Sequence, residues 1–336
     1  MKYQIAIALF SAALGFAGSA TAEDVVFTSW GGTTQDAQKA YWADAFAAST
    51  SINVTQDGPT DYGKLKAMVE AGNVTWDVVD VEGDYAVQAG KAGLLEKLDF
   101  SVIDKSNLDP RFVTDYSVGS FYYSFVIGCN KDAVEACPKN WADLFDTQKF
   151  PGKRTFYKWS APGVIEAALL ADGVPADKLY PLDLDRAFKK LDTIKADIIW
   201  WDSGAQSQQL LASAEAPFGS FWNGRLTALA ATGVTVETSW ENNITAADAL
   251  VVPKGTKNKE AAMKFIAAAT SDKAQAQFAT ATGYAPINLE ADALMDAELR
   301  KTLPDMQEAP QVNADMAYWA AHRDEIGTRW YAWQAK

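Results

Sequence analysis

Residues 220 to 225 read SFWNGR and run on into LTALAATG, a stretch with helical spacing. Arg225 therefore stands in the first turn of a helix, beside the partly positive N-terminus, an unfavourable place for a cation unless an anion is near. An arginine kept there points to recognition of a carboxylate or another anion. Two acids, Glu82 and Asp84, follow the apolar run WDVVDV, where they either face a cleft or end in a solvated loop. Among the twelve tryptophans, Trp30, Trp201 and Trp222 stand where apolar runs stop. There an indole face either covers an alkyl chain or attracts an ammonium group, or else simply packs a hinge. Most other tryptophans, such as Trp42 and Trp141, read as core.

Several other chemistries find no support. His322 is the single histidine and lies in AYWAAHRDEIG, a surface-helix pattern, so HExxH is impossible and no Ser-His-Asp or Cys-His arrangement is in prospect. No GxGxxG follows a strand, and no GxxxxGK[ST] occurs. The phenols of Tyr122 and Tyr123 invite ferric iron, but they alternate within SFYYSFVIG and read as packing. LDLDR at 182 to 186 reads as helix-capping acid at the start of RAFKKLDTIKAD. No metal and no cofactor is expected. Cys129 and Cys137, the two cysteines, are expected to form a short-loop disulfide in an exported chain, since a zinc site wants three or four ligands.

Export is expected from the first 22 residues. Lys2 supplies a charged start, IAIALFSAALGFAG an apolar stretch too short to span a bilayer comfortably, and Ala20-Thr21-Ala22 a signal-peptidase site. A formal net charge of -13 argues against nucleic acid, which is bound through clustered Lys and Arg, and leaves cationic or zwitterionic small molecules open. The length, 336 residues, exceeds what one core fills, so two lobes are expected.

The elements that must position these side chains alternate. DVVFTSW reads as a strand, TQDAQKAYWADAFAAST as an amphipathic helix, INVTQD as a strand, DYGKLKAMVEAG as a helix and WDVVDVEG as a buried strand. Such alternation implies an α/β fold with a largely parallel sheet, and such sheets bind ligands where strands end and helices begin. FVIGCN looks like a strand leaving the first unit, after which a fresh α/β series runs from RTFYKW to about VETSW. TAADALVVP then opens another strand after a loop and returns with the helix NKEAAMKFIAAAT. Repeated crossings of this kind make a hinge with a cleft between its walls.

Over essentially the whole chain beyond the leader, the sequence resembles the spermidine/putrescine-type periplasmic substrate-binding proteins of ABC transporters, with relatives that bind 4-aminobutyrate and opines. The resemblance rests on SWGG, WDVVDVEGDYAVQAGKAGLLEKLD, NWADLFD followed by FPGKR, FWNGR, ADALVVPKGTKNKEAAMKFI and TGYAPIN, in that order and spacing. It implies a two-lobe periplasmic-binding-protein fold with a hinge and an interlobe ligand cleft. Lobe 1 is expected to comprise residues 23–127 plus 248–290, and lobe 2 residues 128–247 plus 291–336. It further implies a periplasmic, non-enzymatic monomer that passes a small-molecule ligand to an inner-membrane ABC permease. By position, Trp30 matches an aromatic wall, Ser203, Trp222 and Tyr284 match cleft residues, and Asp248 matches the acid that takes a ligand amine. Glu82 and Asp84 stand where polyamine binders place a small hydroxyl and a tyrosine.

Two departures carry more information than the matches. Ser160 and Gly163, in FYKWSAPGVIEAALL, stand where polyamine binders carry further acids, so a cationic subsite is lost. Arg225 stands where they usually carry a small residue, so a cation is gained. A buried guanidinium calls for an anion, and a carboxylate in its fork makes strong charge-assisted hydrogen bonds. The expected ligand is a short zwitterion such as 4-aminobutyrate, its carboxylate on Arg225 and its ammonium on Asp248, provided those two side chains do not pair with each other. The alternatives are a polyamine, an opine in a larger cleft, or, remotely, an exported carbohydrate-active enzyme built on paired carboxylates.

Overall fold

A computed structural model describes residues 24–336; the expected leader, residues 1–22, lies outside the described residues. The apolar runs form β1 (Val25–Thr28), β2 (Val54–Asp57), β3 (Val78–Glu82), β4 (Ser117–Asn130), β5 (Arg154–Tyr157), β6 (Ile198–Trp201), β7 (Phe218–Trp222), β8 (Val236–Val251) and β9 (Gln311–Asn313). They make one mixed sheet in the order β2-β1-β3-β8-β4-β7-β5-β6, with β9 added on β8.

Each end of the sheet is a parallel α/β unit. β1 pairs in parallel with β2 and β3, and β5 with β6 and β7. Helices carry the crossovers: Tyr62–Glu70 between β2 and β3, and Gly204–Ala212 between β6 and β7. Their starts follow from sequence, because Asp61 and Ser203 accept backbone N–H bonds from Lys64 and Gln206 and so satisfy donors that a helix leaves open. LDLDR behaves as expected, with Asp183 capping the helix Leu184–Asp192.

The two units are joined through β4 and β8, which pair antiparallel along most of their length. Here the sequence reading needs correction. VETSW does not close one series while TAADALVVP opens another strand after a loop; Val236–Val251 is one strand of 16 residues. The expected lobe boundaries at 127/128 and 247/248 fall inside β4 and β8. β4 pairs with β8 at residues 236–239 and 244–251 along one edge, and β3 and β9 pair with residues 248–251 and 243–245 along the other, which holds both halves of the strand in one sheet. Register shifts between Gly119 and Phe121 and between Phe125 and Ile127 bend this ribbon, as extra residues in a ladder do.

Trp42 and Trp141 are buried core, as expected, and their indole N–H groups donate to the Ala274 and Asn242 carbonyls. Arg154, from FPGKR, is buried and pairs with no carboxylate among the described residues. Its guanidinium donates to the carbonyls of Leu144, Phe150 and Gly152 and ties the entry of β5 to the preceding helix and turn. Cys129 and Cys137 are disulfide-bonded, with Cα atoms 5.8 Å apart and a sequence separation of 8. A cross-link of this loop length is worth about 2.5 kcal/mol through the unfolded chain. The Cys129→Ser/Cys137→Ser protein should lose roughly that much in urea unfolding. An unchanged midpoint would show that the bridge adds nothing to stability.

Candidate ligand-binding site

Strand ends from both units converge on one cavity, lined by Trp30, Thr34, Glu82, Phe121, Tyr123, Tyr157, Trp222, Arg225, Asp248 and Tyr284. The middle of the β4–β8 ribbon supplies one wall. Phe121, Tyr123 and Phe125 alternate along β4; Phe121 pairs with Asp248 of β8, and Phe125 with Trp222 of β7. Asp248 in turn faces Glu82 of β3 in register.

The SFWNGR stretch accounts for the other wall residue by residue. Trp222 ends β7 and borders the cavity, edge-on to Trp201 at 4.7 Å and tilted against Tyr157 at 5.1 Å. Asn223 accepts from the Ser124 N–H and donates to the Gly283 carbonyl, which fixes the start of the helix Asn223–Ala230 against β4. Gly224 leaves room for Tyr284, since a Cβ there would lie 2.6 Å from the phenol ring. Arg225 follows, only 5% exposed.

The Arg225 guanidinium donates to Thr33 Oγ1 at 2.7 Å and Thr34 Oγ1 at 2.9 Å, and its Nε–H has no protein acceptor. Among the described residues no carboxylate pairs with it. A Cβ on Gly204 would stand 2.1 Å from Nε, so the guanidinium occupies space that only glycine leaves open. Burial pushes the Tyr284 phenol up, against the pull of Arg225 and Thr34, and keeps it neutral.

At the opposite end Asp248 is 5% exposed, and no ion pair reaches it among the described residues. Desolvation holds its pKa well above the usual carboxylate range, with Asp80 and Glu82 adding repulsion and the Trp30 indole N–H acting against them. Asp80, wholly buried behind the cavity, accepts from Gln38 Nε2 at 2.6 Å and from Ser29 Oγ at 3.4 Å, and desolvation raises it to about 7.

Of the residues singled out from sequence, Trp30, Glu82, Trp222, Arg225, Asp248 and Tyr284 therefore share one cavity. Three do not line it. Asp84 is fully buried and ion-paired to Arg323. Trp201 is fully buried behind Trp222, its N–H on the Ser220 carbonyl. Ser203 is an exposed helix cap; its neighbour Gly204 is the residue that meets the guanidinium. Thr34, Phe121, Tyr123 and Tyr157 line the cavity without having been singled out as ligand contacts. The alternation in SFYYSF and the strand end at RTFY held the signal for the aromatic three. Two successive hydroxyls opening a helix after SWGG held it for Thr33 and Thr34.

Residues 41–314 match the model of the bacterial extracellular solute-binding protein family. The chain belongs to that family. It is 33% identical over 341 residues to the gamma-aminobutyric acid-binding protein of Pseudomonas aeruginosa, covering 98% of this chain and 96% of that one. It is 28% identical over 290 residues to the spermidine/putrescine-binding periplasmic protein of Escherichia coli K12, covering 79% of each. The solved structure of a GABA receptor is 81% identical, with a TM-score of 0.90 over 94% of this chain and 98% of that one. The expected two-lobe binding-protein fold and the solute-binding receptor of an ABC importer thus hold, and these relatives are binding proteins.

As a solute-binding protein with buried acids beside its cavity, the ligand-free chain has a pH signature. Asp80 unfolded ionises near the ordinary carboxylate value of 3.8, but folded it keeps its proton up to about 7. Between those values the folded state binds the extra proton, so stability falls as pH rises through the window and levels off above it. The loss attributable to Asp80 should be on the order of 3 kcal/mol between pH 4.5 and 8. Urea unfolding of the ligand-free protein across this range should show the slope, and Asp80→Asn should reduce it by Asp80's share, leaving what Asp84 and Asp248 contribute. An equal slope in both proteins would rule out Asp80 as its source.

Proposed function

We propose that this chain is the periplasmic receptor for a short zwitterion, 4-aminobutyrate, and that it delivers this ligand to an inner-membrane ABC permease. The observation that carries the reading is the charge arrangement. Arg225 and Asp248 both line one cavity, and each lacks a charged partner among the described residues. One carboxylate and one ammonium on the same guest satisfy both, the carboxylate through charge-assisted bonds from the guanidinium. The arriving ammonium also reverses the condition that keeps Asp248 protonated, so binding and ionisation of that acid are coupled. Between the charged ends, the rings of Trp30, Phe121, Tyr123, Tyr157, Trp222 and Tyr284 cover a methylene chain and exclude water. Two relatives named for gamma-aminobutyric acid support the same ligand.

The other readings fit less well. A di- or triamine has no use for Arg225, and Glu82 and Asp84 are engaged by Arg323 instead of being free to replace the lost acids. The acid that does occur in the FYKWSAPGVIEAALL stretch, Glu166, is buried and engaged by Tyr180, Trp319 and the Gly163 N–H. An opine would also use Arg225, and the titration below separates it from 4-aminobutyrate. Two-carboxylate glycan chemistry lacks a second unpaired acid in the lining. With 23–127 plus 248–290 as one lobe and 128–247 plus 291–336 as the other, bending the β4–β8 ribbon opens the cavity. Ligand then favours the closed state by its differential affinity.

Calorimetric titration with 4-aminobutyrate, its shorter and longer homologues, putrescine, spermidine and an opine tests the reading. The parent protein should prefer 4-aminobutyrate, and Arg225→Ala should weaken it by about 100-fold or more. Undiminished 4-aminobutyrate binding by the Arg225→Ala protein would refute the carboxylate contact.

A further inference from the structure

We propose that Arg323 sets the charge preference of the cavity: by pairing with Glu82 and Asp84 it withdraws two acids from any guest and leaves a place for only one ammonium. The proposal rests on the reading of Arg225 and Asp248 as the two ends of a zwitterion site. Four acids gather at this end of the cavity, Asp80 and Glu82 on β3, Asp84 at the start of the helix Gly83–Lys91 that follows it, and Asp248 on the neighbouring strand. Glu82 and Asp248 both line it. Left to themselves, such acids would suit a guest with more than one cationic group.

Arg323 changes this balance. Its Nη2 donates to Glu82 Oε2 at 2.7 Å, and its Nη1 bonds to Asp84 Oδ2. Tyr62 adds a bond to the same Glu82 oxygen at 3.1 Å. The guanidinium lies 5.1 Å from the Tyr62 ring centre, and that ring is stacked at 3.7 Å on Tyr85. It is thus held by two carboxylates and an aromatic face, in a fork geometry that a lysine reproduces poorly.

The helix that bears it, Met316–Gln334, is fastened from the other side of the cavity. Trp319 donates to Glu166 at 2.7 Å, Trp330 to the Lys158 carbonyl at 2.8 Å and Trp333 to Asp192 at 2.8 Å, all in the unit built on β5 to β7. Arg323 therefore reaches across from one unit to the strand end of the other and cancels charge there. An acid deprived of it would be a poorly compensated anion at the cavity wall, open to the second ammonium of a diamine.

Calorimetry on Arg323→Gln, Arg323→Gln/Glu82→Gln and the parent, with 4-aminobutyrate and putrescine, tests this. Arg323→Gln should raise putrescine affinity relative to 4-aminobutyrate by about tenfold or more, and adding Glu82→Gln should remove the gain. An unchanged ratio of the two affinities, or a gain that survives Glu82→Gln, would overturn the proposal, and equal weakening of both ligands would reduce Arg323 to a structural tie. If Arg323→Gln does not fold, Glu82→Gln/Asp84→Asn probes the same balance from the acid side. It leaves an uncancelled cation near Asp248 and should weaken 4-aminobutyrate by about tenfold or more, and unchanged affinity there counts against the proposal. The parent's own response to 4-aminobutyrate bears on the zwitterion reading, whereas the change in the ligand ratio bears on Arg323, so the two can fail separately.

Discussion

A guanidinium held out of water without a carboxylate is the constraint around which this cavity is arranged. Arg225 has two threonine hydroxyls for company, and hydroxyl oxygens offset only part of the hydration it gives up. Its place in the first turn of a helix adds to the cost instead of relieving it. Neighbouring residues accommodate that one group. Gly204 yields its side-chain volume, Gly224 lets the Tyr284 ring come close, and Asn223 pins the helix start to β4. An arrangement so unfavourable in isolation makes sense where its missing counter-charge arrives from solution.

The far end of the cavity shows the complementary tension. Asp248 is desolvated and crowded by other acids, so its proton is hard to remove while the cavity is unfilled. Of those acids, Glu82 and Asp84 are drawn off by one arginine, and Asp80 is set behind the wall on Gln38 and Ser29. Each charged group near the cavity except Arg225 and Asp248 is thereby engaged or kept neutral. This division of roles follows from the pairing of β3 with β8, which sets Glu82 and Asp248 side by side.

Much of this was legible in the chain, for reasons that differ by residue. Strands and helices announced themselves by period, and strand ends located Trp30, Glu82, Trp222 and Arg225 because α/β sheets put ligands there. Asp248 was reached only through family resemblance. It lies inside a 16-residue strand whose continuity the sequence hides, since the polar ENN that follows VETSW suggests a loop. Trp201 and Asp84 failed for a common reason. Both occupy the right region, yet alternation along a strand or the start of a helix turns one neighbour to the cavity and the next into the interior. Arg323 left no local signal at all. Its partners are about 240 positions away, and nothing in AAHRDEIG marks one charged residue of a surface-like helix as the one that reaches inward.

The missing side chain at position 204 has a consequence for comparing receptors of this kind. A methyl group there would occupy the seat of the guanidinium, so glycine at 204 and arginine at 225 form a linked pair although 21 positions separate them. A chain that keeps the arginine but carries a bulkier neighbour must have moved one helix or abandoned the seat. The seat of the guanidinium is thus set by two helices at once, one that carries the charge and one that makes way for it.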